Sequence, residues 1–158
     1  MPHDGDILPL DPRPLVLVVE DDPVLCSIIA RMVGLLGYAA EACGDGRSAL
    51  AYVQRSFQGV RLVLADLGMP GMDGGELAER LQDLNPRLPV VLMADRHDPD
   101  IGDLLAGYAD FPFLPKPVTT SALAELLSRQ LGPPVPLREQ RPSRPAKVRH
   151  RTSGQQSI

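Results

Sequence analysis

The sequence predicts one α/β domain, a doubly wound parallel sheet with helices on both faces, and three observations carry that prediction. Short apolar runs alternate five times with segments of helical apolar spacing. The strongest of those runs are continuous and rich in branched aliphatic residues, as expected of strands buried on both faces. The chain has 158 residues, 44% of them apolar, enough for one core with tails to spare. Aromatics make up only 4% and Trp is absent, so the core must be aliphatic.

Pro12 and Pro14 close an N-terminal arm, residues 1–14. Leu15–Val19 then reads as a first buried strand, ending at Glu20-Asp21-Asp22-Pro23. Asp22 before Pro23 is an N-cap with proline at the first helical position. Val24, Leu25, Ile28, Ile29, Met32, Val33 and Leu36 recur at helical spacing until Gly37. Tyr38–Cys43 is a short second strand. Asp45, a turn or capping residue, precedes a helix through Ala49, Leu50 and Val53.

Arg61–Ala65 is a third strand, ending at Asp66; the loop Leu67–Asp73 leads to a helix over about Gly75–Leu84. Pro89–Met93 is a fourth strand, followed by a weak helix near Pro99–Ala106 that Gly102 dilutes. Phe111–Leu114 is a short fifth strand, where Pro112 and Pro115 remove ladder donors and favour a sheet edge. The final amphipathic helix spans Thr119–Leu131, with Ser121 among its possible caps. The predicted domain is therefore 15–132.

The net charge of −4 conceals an asymmetry. Residues 1–132 carry 10 Lys and Arg against 19 Asp and Glu, a net of −9, whereas 133–158 carry 6 against 1, a net of +5. The Pro- and Arg-rich segment 133–158 reads as a disordered tail. Its six basic residues leave nucleic acid, an acidic partner or the chain's own acidic body open as contacts, but without interleaved aromatics or a recognisable module a nucleic-acid partner is disfavoured. Cys26 and Cys43 match no metal-ligand spacing and read as buried free thiols. The first residues lack a basic and apolar leader, and no apolar run approaches ~18 residues, so a soluble cytoplasmic protein without a membrane partner is expected.

In an open parallel sheet the ligand crevice lies beyond the carboxyl ends of the strands. Glu20 and Asp21 end strand one, Asp66 ends strand three, Ala94-Asp95 ends strand four, and Lys116-Pro117 ends strand five. Crowded carboxylates repel unless a cation neutralises them. Oxygen donors without His or Cys select a hard cation, and Mg2+ fits. Asp21 is then a direct ligand, Glu20 a direct or water-mediated one, and the Gly68 carbonyl a further oxygen. Asp66 stands alone on the most central strand and is the candidate nucleophile for a phosphoryl group, with Lys116 as the mobile cation for its oxygens.

Val18-Val19-Glu20-Asp21-Asp22-Pro23, Leu64-Ala65-Asp66-Leu67-Gly68-Met69-Pro70-Gly71-Met72-Asp73-Gly74 and Phe113-Leu114-Pro115-Lys116-Pro117 together resemble the receiver domain of two-component response regulators, over roughly Leu15 to Leu131. The resemblance implies a flavodoxin-like (βα)5 fold with strand order 2-1-3-4-5, Asp66 as phosphoacceptor, Asp21 and Glu20 as the acidic pair, and a cis Lys116–Pro117 bond. It also implies a histidine kinase or phosphotransfer protein as donor and an unidentified downstream protein as receiver of the signal. The nearest type is a stand-alone, chemotaxis-regulator-like receiver, a signalling module rather than a turnover enzyme. One position departs from the family. Ala94 stands where the family carries a switch Ser or Thr, and Phe113 holds the aromatic position that this hydroxyl repositions. The missing bond to a charged group is worth about 1–3 kcal/mol, comparable to a typical coupling between sites.

Two alternatives come from other classes. The first is a phosphorylation-independent interaction module, with Ala94 marking lost switching. The second is a metal-dependent phosphohydrolase, disfavoured because Asp66-Leu67-Gly68 lacks the second acid expected two residues after the nucleophile. Dinucleotide binding lacks its glycine fingerprint after strand one.

Overall fold

A computed structural model describes residues 11–56 and 59–134 of the chain. Five strands alternate with five helices: β1 Leu15–Val19, α1 Pro23–Leu35, β2 Ala39–Cys43, α2 Gly46–Arg55, β3 Val60–Asp66, α3 Gly74–Leu84, β4 Val90–Ala94, α4 Pro99–Gly107, β5 Phe113–Pro115 and α5 Thr120–Leu131. All strand pairs are parallel, in the order β2-β1-β3-β4-β5. This is the predicted flavodoxin-like topology. It puts β3 at the centre, flanked by β1 and β4, and so centres Asp66 in the row of strand ends.

The continuous apolar strands are explained by two cores, one on each side of the sheet. Leu17, Val19, Val63, Ala65 and Leu92 face α2, α3 and α4, while Val16, Val18, Leu62, Leu64 and Met93 face α1 and α5. Every β4 residue and all but Arg61 of β3 are buried. α4 is the exception among the helices, with no fully buried residue.

Capping chemistry sets the helix starts. The carboxylate of Asp22 accepts the Val24 and Leu25 N–H groups with Pro23 at the first turn, and Asp45 and Asp73 each accept one N–H in the same way. α1 ends as the glycine predicts: Gly37, at φ 93°, donates to Gly34 O and Tyr38 donates to Val33 O. Because Tyr38 N–H is spent on that motif, β2 begins one residue later than expected. The cap of α5 is Thr119, whose Oγ1 accepts Ala122 N–H; Ser121 lies inside the helix, correcting the sequence reading.

β5 is also shifted from its predicted Phe111–Leu114. Phe111 donates to Tyr108 in a turn, and Pro112 contributes only its carbonyl, accepting from Leu92. As predicted, β5 is an edge strand. The thiols need a correction as well. Cys26 is buried but Cys43, on edge strand β2, is half-buried. They belong to opposite cores, yet the Cys26 thiol reaches the Cys43 carbonyl at 3.7 Å. Of the predicted arm and tail, residues 1–10 and 135–158 lie outside the described residues. Among the described residues no helix is long and apolar enough to cross a membrane.

Candidate functional site

The ladders that build the sheet continue one step past the strands and aim the site residues at one another. Glu20 donates its N–H to Cys43 O at 3.1 Å, Leu67 donates to Met93 O at 2.8 Å, and Lys116 donates to Ala94 O at 2.9 Å. These three bonds fix the backbones carrying Glu20, Asp66 and Lys116 to neighbouring strands. Gly74 lies against the Asp66 carbonyl so closely that a Cβ there would overlap it. Only glycine lets α3 begin this near the end of β3.

Carboxylate oxygens of Glu20, Asp21 and Asp66 come within 4.8 Å of one another. Glu20 is 2% and Asp66 6% exposed, and they are the charged residues buried among the described ones; Asp21 is exposed. Lys116 bridges the two buried carboxylates, with Nζ 2.7 Å from Glu20 Oε2 and 2.9 Å from Asp66 Oδ1. The remaining bonds come from the backbone. Asp22 N–H donates to Glu20 Oε1 at 3.2 Å and Gly68 N–H to Asp66 Oδ1 at 3.3 Å. No buried side-chain polar atom among the described residues lacks a partner.

Burial pushes the Glu20 carboxyl above the usual carboxylate range; the Lys116 bond opposes the rise and the Asp66 charge adds to it. Lys116 shows the reverse balance. Burial pulls its ammonium down, but the bonds to Glu20 and Asp66 outweigh that and leave it above its ordinary value. The pair is a carboxylate that holds its charge at a cost, beside an ammonium secured by it. An oxygen-only donor set with excess negative charge suits a hard divalent cation, which takes carboxylates, a carbonyl and water.

Ala94 is 1% exposed at the end of β4 and offers only a methyl group there. Asp95, next in sequence, is exposed and its carboxylate accepts the His97 N–H at 2.8 Å, so it caps its own loop and stays outside the acidic cluster. Phe113 is half-buried on β5, and the Arg96 guanidinium carbon lies 4.8 Å from its ring centroid. Sequence reasoning missed Arg96, Tyr108 and Tyr38. The Gly74-Gly75 doublet signals a close approach at the start of α3, yet nothing local names Tyr108 as the approaching side.

Residues 16–128 match the family model described as "Response regulator receiver domain". The sensor histidine kinase RcsC of Salmonella typhi is 35% identical over 115 residues, 72% of this chain but 12% of that protein. The two-component response regulator ARR2 of Arabidopsis thaliana is 35% identical over 121 residues, 73% of this chain and 18% of that protein. The chain thus spans less than a fifth of either relative. Among solved structures, Vibrio cholerae chemotaxis protein CheY4 superposes with a TM-score of 0.63 at 26% identity, over 75% of this chain and 99% of that one. The receiver domain of sensor histidine kinase PA1611 from Pseudomonas aeruginosa, solved with a magnesium ion in its active-site cleft, has the same fold at a TM-score of 0.68 and 24% identity, over 76% and 98% of the two chains.

Proposed function

This chain belongs to the response regulator receiver domain family, and from that premise we propose that Asp66 accepts a phosphoryl group from a histidine kinase or phosphotransfer protein. Receivers are signalling modules of two-component systems. The observation that best supports Asp66 as acceptor is Lys116 Nζ held between Asp66 and Glu20, with Asp21 alongside. An Asp66 carboxylate oxygen forms the new bond to phosphorus as the phosphorus–nitrogen bond of a donor phosphohistidine breaks. Lys116 has both carboxylates as partners before transfer and can turn its ammonium to a phosphoryl oxygen after it.

The donor set fits Mg2+, with Asp21, Asp66, the Gly68 carbonyl and Glu20, directly or through water, as holders. When bound, such an ion would supply charge compensation for phosphoryl transfer. The chain signals through protein contacts in the cytoplasm, as a stand-alone receiver or as the receiver segment of a larger protein. Ala94 supports a second reading, an interaction module whose contacts do not depend on phosphorylation.

Acetyl phosphate with Mg2+, followed by intact mass, tests the first reading. The expected result is a single phosphoryl adduct absent from Asp66→Ala. No adduct with acetyl phosphate or with a phosphorylated donor protein leaves the second reading.

A further inference from the structure

Arg96 sits in the loop after β4, two residues beyond Ala94, and its guanidinium stacks over the Phe113 ring at 4.8 Å. Among the described residues Arg96 takes part in no ion pair, unlike Arg13, Arg80 and Arg129. Arg96 is exposed, and the face its guanidinium lies over is an aromatic ring instead of a carboxylate. The stack bridges the β4–α4 loop to the edge strand β5. With Leu105, Tyr108 and Phe111, the pair lines a shallow, open surface hollow of about 350 Å³ beside α4, the helix without a fully buried residue.

Two forces can set the position of Phe113: a pull from the phosphoryl site through the end of β4, or a hold from its own neighbours. At the end of β4 the buried Ala94 methyl offers no hydrogen bond with which to pull. The hold is present, because a planar cation over a half-buried ring adds attraction to contact and restricts where the ring can turn. We propose that Arg96 is the positioning residue for Phe113, holding the ring in one place whether or not Asp66 carries a phosphoryl group. This deepens the receiver reading and rests on it only for the phosphorylated arm.

The test uses aromatic and arginine side-chain NMR of the full chain, with acetyl phosphate and Mg2+ as probe and intact mass run in parallel. In the unmodified protein, Arg96 side-chain protons are expected to be shifted upfield by the Phe113 ring, and Phe113→Leu should remove the shift. Arg96→Gln should broaden or average the Phe113 ring signals, and Arg96→Lys should restore them in part because the cation returns. After phosphorylation the wild-type Phe113 signals should stay in place, whereas Ala94→Thr with Arg96→Gln should show them moving. Phe113 signals unchanged in Arg96→Gln overturn the proposal. So do wild-type signals that move on phosphorylation as far as those of the double variant. If mass shows no adduct, the acceptor reading fails by itself, and the hold of Arg96 on Phe113 is still judged by the unmodified variants.

Discussion

The ring of Tyr108 covers Gly75 so closely that a Cβ at residue 75 would overlap it. Tyr108 is the C-cap residue of α4 and Gly75 lies in the first turn of α3, where neighbouring Gly74 packs on the Asp66 carbonyl. A continuous path of contact therefore runs from Asp66 through the start of α3 to the end of α4. Tyr108 meets Phe111 edge-to-face at 6.4 Å, which ties the seat to the segment leading into β5.

Gly75→Ala should eject the Tyr108 ring. The helix gains about 0.5–1 kcal/mol from losing a glycine, but overpacking costs about 1–3 kcal/mol. A net destabilisation of about 1 kcal/mol is expected in denaturant unfolding. In a Tyr108→Ala background the clash is gone, and Gly75→Ala should become stabilising. The same sign in both backgrounds refutes the seat.

Removing Lys116 leaves two buried carboxylates without their cation. Lys116→Met should cost about 2–4 kcal/mol at neutral pH without metal, somewhat under the full penalty for an orphaned buried charge because Asp21 keeps the site open to water. The variant should also bind Mg2+ more tightly, since a competing cation has gone. Titration calorimetry showing weaker Mg2+ binding contradicts this.

The raised Glu20 carboxyl has a definite sign for pH. Folding favours its protonated form, so without metal its contribution improves as pH falls through the folded value and is lost as pH rises through it. Mg2+ needs the carboxylate, so its stabilising effect must change the opposite way. The Tm increase caused by Mg2+ should be largest near neutral pH and shrink on acidification before pH 4.5, the ordinary value for a Glu. Glu20→Gln should flatten that acidic limb. Lys116 acts at the other extreme: its bonds stabilise fully below 10.5, its ordinary value, and are lost as pH climbs past its raised folded value.

Tyr38 is 1% exposed and its hydroxyl donates to Gly132 O at 2.8 Å, fastening the end of α5 beside the first residue of β2. Tyr38→Phe keeps the packing and removes that bond, at about 1 kcal/mol. A fall in Tm of roughly 3–5 °C is expected. No change shows that water replaces the hydroxyl at Gly132.

By itself the sequence determined the sheet, its order of elements and the residues that reach its carboxyl edge. Those features are local. Continuous aliphatic runs mark strands with two covered faces, and Asp22, Asp45 and Thr119 start helices through bonds spanning two or three residues. Strand-end acids fall at one edge because every strand runs the same way. Ser121 was one possible cap among three consecutive hydroxyl residues, Thr119, Thr120 and Ser121, and only the turn geometry selects Thr119.

Only the tertiary structure decided which side chains meet. Lys116 and Glu20 are 96 residues apart and join at 2.7 Å. Arg96 settles on Phe113, Tyr108 on Gly75, and Cys26 and Cys43 face opposite cores. Such pairings depend on register, loop path and rotamer across distant segments, which no local spacing encodes. The physical reason is that burial and capping are chosen residue by residue along the chain, whereas a contact between two side chains exists only after the backbone has brought both to one place.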